Sequence, residues 1–214
     1  MIKKIFILFK IARKLATSDA LEIFYKIHRP PFFIKLFFNL LSLSISSKKK
    51  DYINLNDGEK LCKSIEEMGT TFIKLGQFLA TRPDIIGDKL SSQLEKLQDK
   101  LPPFSTGDAK SILKNNLGDE TYSSILNFSE PVAAASIAQV HKANINDNGT
   151  IKDVAIKILR PNIKKIFNEE IDAIMLFAFI IESFVKKTKR LKLVEVVFLL
   201  KEITNLEMDL RFEA

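Results

Sequence analysis

From Asn56 onward, apolar residues recur at three- and four-residue steps: Leu61, Ile65, Met68, Phe72, Leu75 and Leu79 make one stripe of a long helix. Asp57 near its start suits the positive end of the helix dipole. Arg82-Pro83-Asp84 predicts a break, because proline disfavours helical geometry in the residue before it. A second helix is expected over about Asp88 to Gln98, with Leu90, Leu94 and Leu97 inward, ending at Leu101-Pro102-Pro103. Ser105-Thr106-Gly107-Asp108 offers capping side chains for a third helix through about Leu117, closed by Gly118. The period then changes. Pro131 to Pro161 reads as three short strands with a small-residue turn after the first. Arg160-Pro161-Asn162 opens a helix to about Lys187 whose centre, IMLFAFII, is apolar for eight residues between Asp172 and Glu182, which suits a buried helix. After a basic turn from Lys186 to Lys192, a last helix starts near Leu193 with Val196, Val197, Leu200, Ile203 and Leu206 inward, and it is still helical in pattern at the last residue. These elements predict an α+β fold.

The N-terminus follows another pattern. MIKKIFILFKIARK has an apolar core of five residues, IFILF, before Lys10, and PPFFIKLFFNLLSLSIS runs about 15 residues past its prolines, interrupted by Lys35 and Asn39. Both are shorter than the roughly 20 apolar residues of a spanning helix. They are expected to be amphipathic helices, lying on an anionic surface or against the protein's own body. Ser42 to Lys50 reads as a polar, basic linker. Charge sharpens the division: the first 50 residues hold eleven Lys or Arg against two acids, so the other 164 carry net −2 while the whole chain carries +7. No Arg-rich reading helix, zinc site or RNP-like strand accompanies the basic segment, so nucleic acid is not an expected partner. Cys62 is the single cysteine, which excludes an internal disulfide and a cysteine metal cluster. His28 and His141 are the only histidines and form no cluster, and His141 is assigned to packing or a local hydrogen bond.

Candidate chemistry centres on Val154-Ala155-Ile156-Lys157. In a strand, the Lys157 ammonium takes one side while Val154, Ile156 and Ile158 take the other, an arrangement kinases use to hold nucleotide phosphates. Ala133-Ala134-Ala135-Ser136 stands where a kinase carries its glycine-rich loop, and methyl side chains still let backbone amides approach a phosphate. The alternative reading of the lysine is an ordinary strand edge. Lys74 and Gln77 are three apart and project from one helix face, either as part of a site or as a solvated surface. Between them Gly76 costs about 1 kcal/mol of helix stability relative to alanine, which points to a close approach by another group.

Four segments, FIKLGQFLATRPDI with Lys74, Leu75, Gly76 and Gln77, AAASIAQVHKA, VAIK, and NLEMDLRFEA with Glu207 and Asp209, resemble in order and spacing the UbiB family of atypical kinases and ATPases, which serves ubiquinone biosynthesis. The resemblance runs from about residue 55 to the end. It implies a protein-kinase-like N-lobe, a small antiparallel sheet with flanking helices over 128–214, preceded by a helical KxGQ extension over 51–127 and the basic segment 1–50. It implies that ATP or ADP with Mg is bound through Val132, Ala133, Ala134, Ala135, Ser136, Ile137, Ala138, Gln139 and Val140, with Lys157 paired to Glu213. Lys74, Gln77, Glu207 and Asp209 would support metal and nucleotide. In the family the catalytic-loop and DFG-type aspartates follow the ExD segment, so no catalytic residue is expected within this chain and the C-lobe is expected to be missing. The family's helical set is expected to restrict access by protein substrates. A peripheral position on the cytoplasmic face of the bacterial inner membrane is implied, with prenylated quinone precursors or other ubiquinone-synthesis proteins as partners. Competing expectations are a non-catalytic lipid- or partner-binding module and a degenerate gene fragment without activity. Glu207 and Asp209, two apart, point to different sides of a regular helix, so both serve one site only if the helix bends; otherwise they are exposed helix acids.

Overall fold

A computed structural model describes residues 2–16, 32, 36, 55–97, 101–147, 149–184 and 186–212. The second apolar N-terminal run, apart from Phe32 and Leu36, lies outside these residues, as do the linker to Lys50, His28 and Glu213. The chain divides into two compact units, Met1–Gln98 with Ile166–Thr204 and Asp99–Lys165 with Asn205–Ala214. The chain divides after Gln98, and most of the two late helices group with the helices before it.

The first unit is helical. Helix α1 (Ile2–Ala16) turns Ile7, Leu8 and Ile11 toward Met68, Phe72 and Ala173, and the Lys14 ammonium donates to the Met68 carbonyl at 3.1 Å. Its outer half exposes Ile5, Phe6 and Phe9 beside Lys10 and Arg13. The long stripe is divided between α2 (Asp57–Met68) and α3 (Thr70–Ala80). Gly69 separates them with φ 102° and ψ −175°, a region essentially restricted to glycine, which the apolar period cannot reveal. Asn56 caps α2: its Oδ1 accepts from Glu59 N while its own N–H donates to Glu59 Oε2, and Asp57 lies in the first turn at the positive end of the helix. A four-residue helix, α4 (Pro83–Ile86), precedes α5 (Asp88–Leu94). Leu61, Ala80, Ile86, Leu90 and Leu94 form one apolar cluster. Gly76 earns its place: a Cβ there would come within 2.7 Å of Leu97 Cδ2.

Helix α7 (Ile163–Phe184) is buried on one side only. Phe167, Ile171 and Ala173 are inaccessible, whereas Phe179 is 61% exposed. Its flanking acids serve helix α8 (Leu193–Glu207): Asp172 pairs with Lys201 at 2.7 Å, and Glu182 Oε1 accepts from Val194 N at the start of α8. A 3-10 helix, Lys186–Leu191, joins the two. On α8, Val196, Val197 and Leu200 are buried as expected, but Ile203 and Leu206 are exposed and Thr204 is buried instead; Met208, just past the helix, is buried as well.

The second unit holds a four-stranded antiparallel sheet. Helix α6 (Thr106–Ser123) is capped by Ser105, whose side chain accepts from Asp108 N, and it kinks at Gly118, φ 78°. One strand more than expected follows: β1 (Ile125–Leu126), β2 (Pro131–Ala134), β3 (Ala138–Asp147) and β4 (Thr150–Leu159). Strand β4 pairs along the whole of β3, while β1 and β2 share its other edge at opposite ends. Ile158 and Ile156 pack with Ala109, Leu113 and Phe104, so α6 covers one face of the sheet. After α8 the chain does not continue as α-helix: it breaks at Met208 and Asp209 and forms a 3-10 turn, Leu210–Phe212.

Because nothing lies within 4 Å of a Cβ built on Gly69, steric contact plays no part there and only the backbone resists substitution. Gly69→Ala is expected to destabilise the protein by about 1–3 kcal/mol, read as a lower urea midpoint with an unchanged slope.

Candidate functional site

Pairing partners in an antiparallel sheet share a face, so the register decides where each candidate side chain lies. Lys157 pairs with Val140, and Val140 with Ala133. These three stand in one row across β4, β3 and β2, on the face opposite the α6-covered core. With neighbouring strands about 4.8 Å apart, the Cα of Ala133 and that of Lys157 are roughly 10 Å from each other, within reach of a ligand touching both. Lys157 is half-buried, and Ile156 and Ile158 point the other way into the core, as the VAIK alternation predicts. Lys142, Asn144, Asp153 and Ala155 continue the Lys157 face and line a groove of about 420 Å³. At one end of it Asn127 Nδ2 donates to Asn144 Oδ1 at 2.9 Å, and Asn144 Nδ2 donates to Asp153.

The alanine segment forms a tight turn. A bulge at Val132 shifts the β2 register and leaves that side chain 53% exposed; such bulges re-aim the residues that follow. Ala135 N donates to Ala138 O at 2.8 Å, which closes the turn around Ser136 and Ile137. Ala133 is exposed and Ala134 and Ala135 are half-buried, while Ser136, Ile137, Ala138 and Gln139 are buried. Val140 is half-buried beside Lys157.

Gln139 has a structural task that the alanine-loop pattern does not disclose. On the core face, its Oε1 accepts from Phe104 N at 2.9 Å and its Nε2 donates to Phe104 O at 3.2 Å. Its other amide hydrogen meets His141 Nε2 at 2.9 Å, and His141 Nδ1 lies 2.8 Å from the Ser129 carbonyl. The chain of donors closes when the imidazole carries its proton on Nδ1. Both amide hydrogens of Gln139 are thus spent on the scaffold, and any role at a ligand falls to its backbone. His141, fully buried and stacked on Phe128 at 4.3 Å, has the packing and hydrogen-bonding place expected of it. Cys62 is also a packing residue: burial pushes its thiol pKa up, and Sγ donates to Gln93 O. Arg160, read from sequence only as part of a helix start, donates twice to the Ala135 carbonyl. Its one sequence signal is a cation set between an apolar strand end and a proline.

The remaining candidates divide between the units. Lys74 and Gln77, both half-buried, share a face of α3 in the first unit, where the buried Thr71 hydroxyl one turn earlier has no hydrogen-bond partner among the described residues. Arg82 in the same unit holds Asp84 through two bonds, Nε to Oδ1 at 2.8 Å and Nη2 to Oδ2 at 2.7 Å, and this hydrogen bonding draws the Asp84 pKa down. Glu207 and Asp209 belong to the second unit. Glu207 ends α8 and Asp209 lies past it, so the helix geometry that would send them to opposite sides does not apply. Arg211 donates to both Asp209 carboxylate oxygens, and these hydrogen bonds lower its pKa to about 2. Among the described residues no group of three or more His, Cys, Asp or Glu is placed to hold a metal by itself. Lys157's expected partner, Glu213, lies outside the described residues.

A family model for the ABC1 atypical kinase-like domain matches residues 96–214, which include the alanine turn, Lys157 and the Glu207–Asp209 segment. "Probable protein kinase UbiB" from Marinobacter nauticus is 35% identical over 195 residues, 91% of this chain and 34% of that protein. The protein of the same name from Shewanella baltica is 35% identical over 186 residues, 86% of this chain and 34% of its own length. That from Cellvibrio japonicus is 37% identical over 161 residues, 75% and 29%. The chain therefore spans about a third of the length of the curated relatives it matches. No solved structure matches it. With its small antiparallel sheet, helical flank and lysine-bearing strand, the chain belongs to the ABC1 atypical kinase-like family.

Proposed function

We propose that this chain binds the phosphate tail of ATP or ADP on the Lys157 face of the sheet, as part of a UbiB-like atypical kinase or ATPase that supports ubiquinone biosynthesis. The register that puts Ala133, Val140 and Lys157 in one row carries the reading. The residues fit such a ligand: a half-buried ammonium supplies charge, the small side chains of the turn admit a close approach, and the groove beside Ala155 extends the same face. Bound magnesium would neutralise phosphate charge, and it ordinarily needs only one or two carboxylates besides the phosphates. Glu207 and Asp209 are the acids proposed to hold it. Asp209 can do so only after releasing Arg211, a competition between a guanidinium and a metal for the same two oxygens.

A second reading adds a membrane. The outer half of α1 exposes Phe6 at 68% and Phe9 at 48% next to Lys10 and Arg13, an aromatic and basic surface suited to an anionic bilayer. No helix among the described residues is long and apolar enough to cross a membrane, so attachment through α1 would be peripheral, on the cytoplasmic face of the inner membrane. Prenylated quinone precursors and other ubiquinone-synthesis proteins would be met there.

Three measurements follow. Isothermal titration with MgADP should give binding that Lys157→Met weakens at least about tenfold, or about 1.4 kcal/mol; equal binding by both proteins would refute the nucleotide site. Carboxyl NMR should find Asp209 titrating at about 2, and Arg211→Ala should return it toward about 3.9. Because the folded value is depressed, the pair's contribution is fully present above about pH 4 and is lost as pH falls through about 2. Vesicles of anionic lipid should bind the wild type in low salt, and the double change Phe6→Ser, Phe9→Ser should reduce the bound fraction severalfold without changing MgADP affinity.

A further inference from the structure

The corner where α7 returns into α8 carries a pocket that neither the sheet nor α1 uses. A cavity of about 370 Å³ is lined there by three cations, Arg82, Arg190 and Lys192, and two acids, Asp84 and Glu195. Each acid already has its cation: Asp84 accepts from Arg82 Nε and Nη2 at 2.8 and 2.7 Å, and Glu195 accepts from Lys192 Nζ at 3.0 Å. The positive charge in excess is that of Arg190, an exposed residue with no hydrogen bond or ion pair among the described residues. Arg82 can add to it, because the two bonds to Asp84 fix its guanidinium plane and leave Nη1 without a bond. The run from Lys186 to Lys192 holds five cations in seven residues, so the pocket opens into a positive potential.

The corner is set before any ligand arrives. Lys192 takes a left-handed conformation, φ 50°, between the 3-10 helix and α8, and Glu182 Oε1 holds the Val194 N–H at 3.1 Å. The first two turns of α8 then form one side of the pocket, where the helix dipole favours an anion.

The same wall is aliphatic, made by Leu191, Val196 and Leu199. Leu199 is 46% exposed, and Ile203, one turn further along the same side of α8, is 39% exposed. An apolar stripe thus begins at the cationic pocket and runs away from it along the helix. No aromatic ring is among the lining residues, so a nucleobase has nothing to stack on. One uncompensated cation suits one anionic group and not the row of carboxylates that an acidic peptide brings. A ligand that satisfies both parts has a singly charged head and an aliphatic chain, and a guanidinium fork matches the oxygens of a phosphate.

We propose that this pocket binds a single anionic phospholipid, its phosphodiester on Arg190 and Arg82 and its chain along Leu199 and Ile203. No residue of α1 is among those lining the pocket, so the site is separate from the aromatic surface of that helix. It rests neither on that surface nor on the nucleotide reading.

The test is amide NMR of the full chain titrated with dihexanoylphosphatidylglycerol, kept below its micelle concentration so that no bilayer is present. Shifts are expected between Arg190 and Ile203, and dihexanoylphosphatidylcholine, with the same chains and no net charge, should bind at least about tenfold more weakly. Arg190→Gln, a change at an exposed position, should weaken the phosphatidylglycerol about tenfold. Leu199→Ser should weaken it about threefold or more and leave binding of inorganic phosphate unchanged. The double change Phe6→Ser, Phe9→Ser should bind the monomeric lipid as the wild type does; a loss there would move the site to α1 and overturn the proposal while leaving the α1 reading intact. Equal binding of the two lipids, an unaffected Arg190→Gln, inorganic phosphate that binds as tightly as the lipid, or a hexaglutamate peptide that binds more tightly than it, would each overturn the proposal, the last in favour of an acidic protein partner.

Discussion

Everything proposed for the sheet depends on one alignment, the ten-residue antiparallel register between β3 and β4. Side chains alternate across a sheet, so a slip of one residue would exchange every inward and outward position. Lys157 would enter the apolar layer under α6, and Ile158 would take its place beside Val140. The register is secured at both ends. The hydrogen bonds of Arg160 to Ile137 and Ala135 fix the end at the turn, and the Lys152–Asp147 pair, 2.7 Å across the hairpin, stands at the other. Between them, the apolar and amide-bearing residues of the core face leave no second solution, because a displaced Gln139 would strand the Phe104 backbone and the His141 ring.

What was legible in the chain followed from periodicity. The VAIK alternation places Lys157 opposite Ile156 and Ile158 with no other information, and the leucine steps at 90 and 94 give the inward side of α5, with Leu97 buried just past its end. Glycine was legible where it breaks a rule: the cost of Gly76 in a helix implied a neighbour, and Leu97 is that neighbour. Illegible features were those that periodicity does not encode. A backbone inversion at Gly69 leaves the apolar stripe in phase, so two helices read as one. The exposure of Ile203 and Leu206 follows from where α8 ends and which neighbours it has, and neither can be read from its own composition. Strand β1, two residues long, is too short to carry a pattern.

Polar side chains that bind backbone were hidden for a related reason. A motif search asks which residues could face a ligand, and Gln139 and Arg160 face the fold. Yet their partners are the strap at Leu101–Phe104 and the turn at Ala135, so they decide the shape presented on the other side. Glutamine suits this task because one amide can satisfy both groups of a buried backbone residue, here the N–H and C=O of Phe104, and still has a hydrogen for His141. Arginine suits its own because a planar fork can settle on a single carbonyl from a fixed direction.

On the proposed nucleotide reading, these constraints would let alanine serve where glycine is usual. Glycine in a phosphate loop allows the backbone to adopt whatever geometry the ligand demands, at an entropic cost when it is ordered. Alanine surrenders that freedom, so the turn must be correct before the ligand arrives. In this chain the closure from Ala135 N to Ala138 O, the Arg160 grip and the buried Ser136–Gln139 segment provide that order in advance. A stiff turn of this kind can favour one arrangement of phosphates over others, because it cannot rearrange to suit a poor fit; the selectivity of the site would then reside in backbone direction and only secondarily in the charge of Lys157.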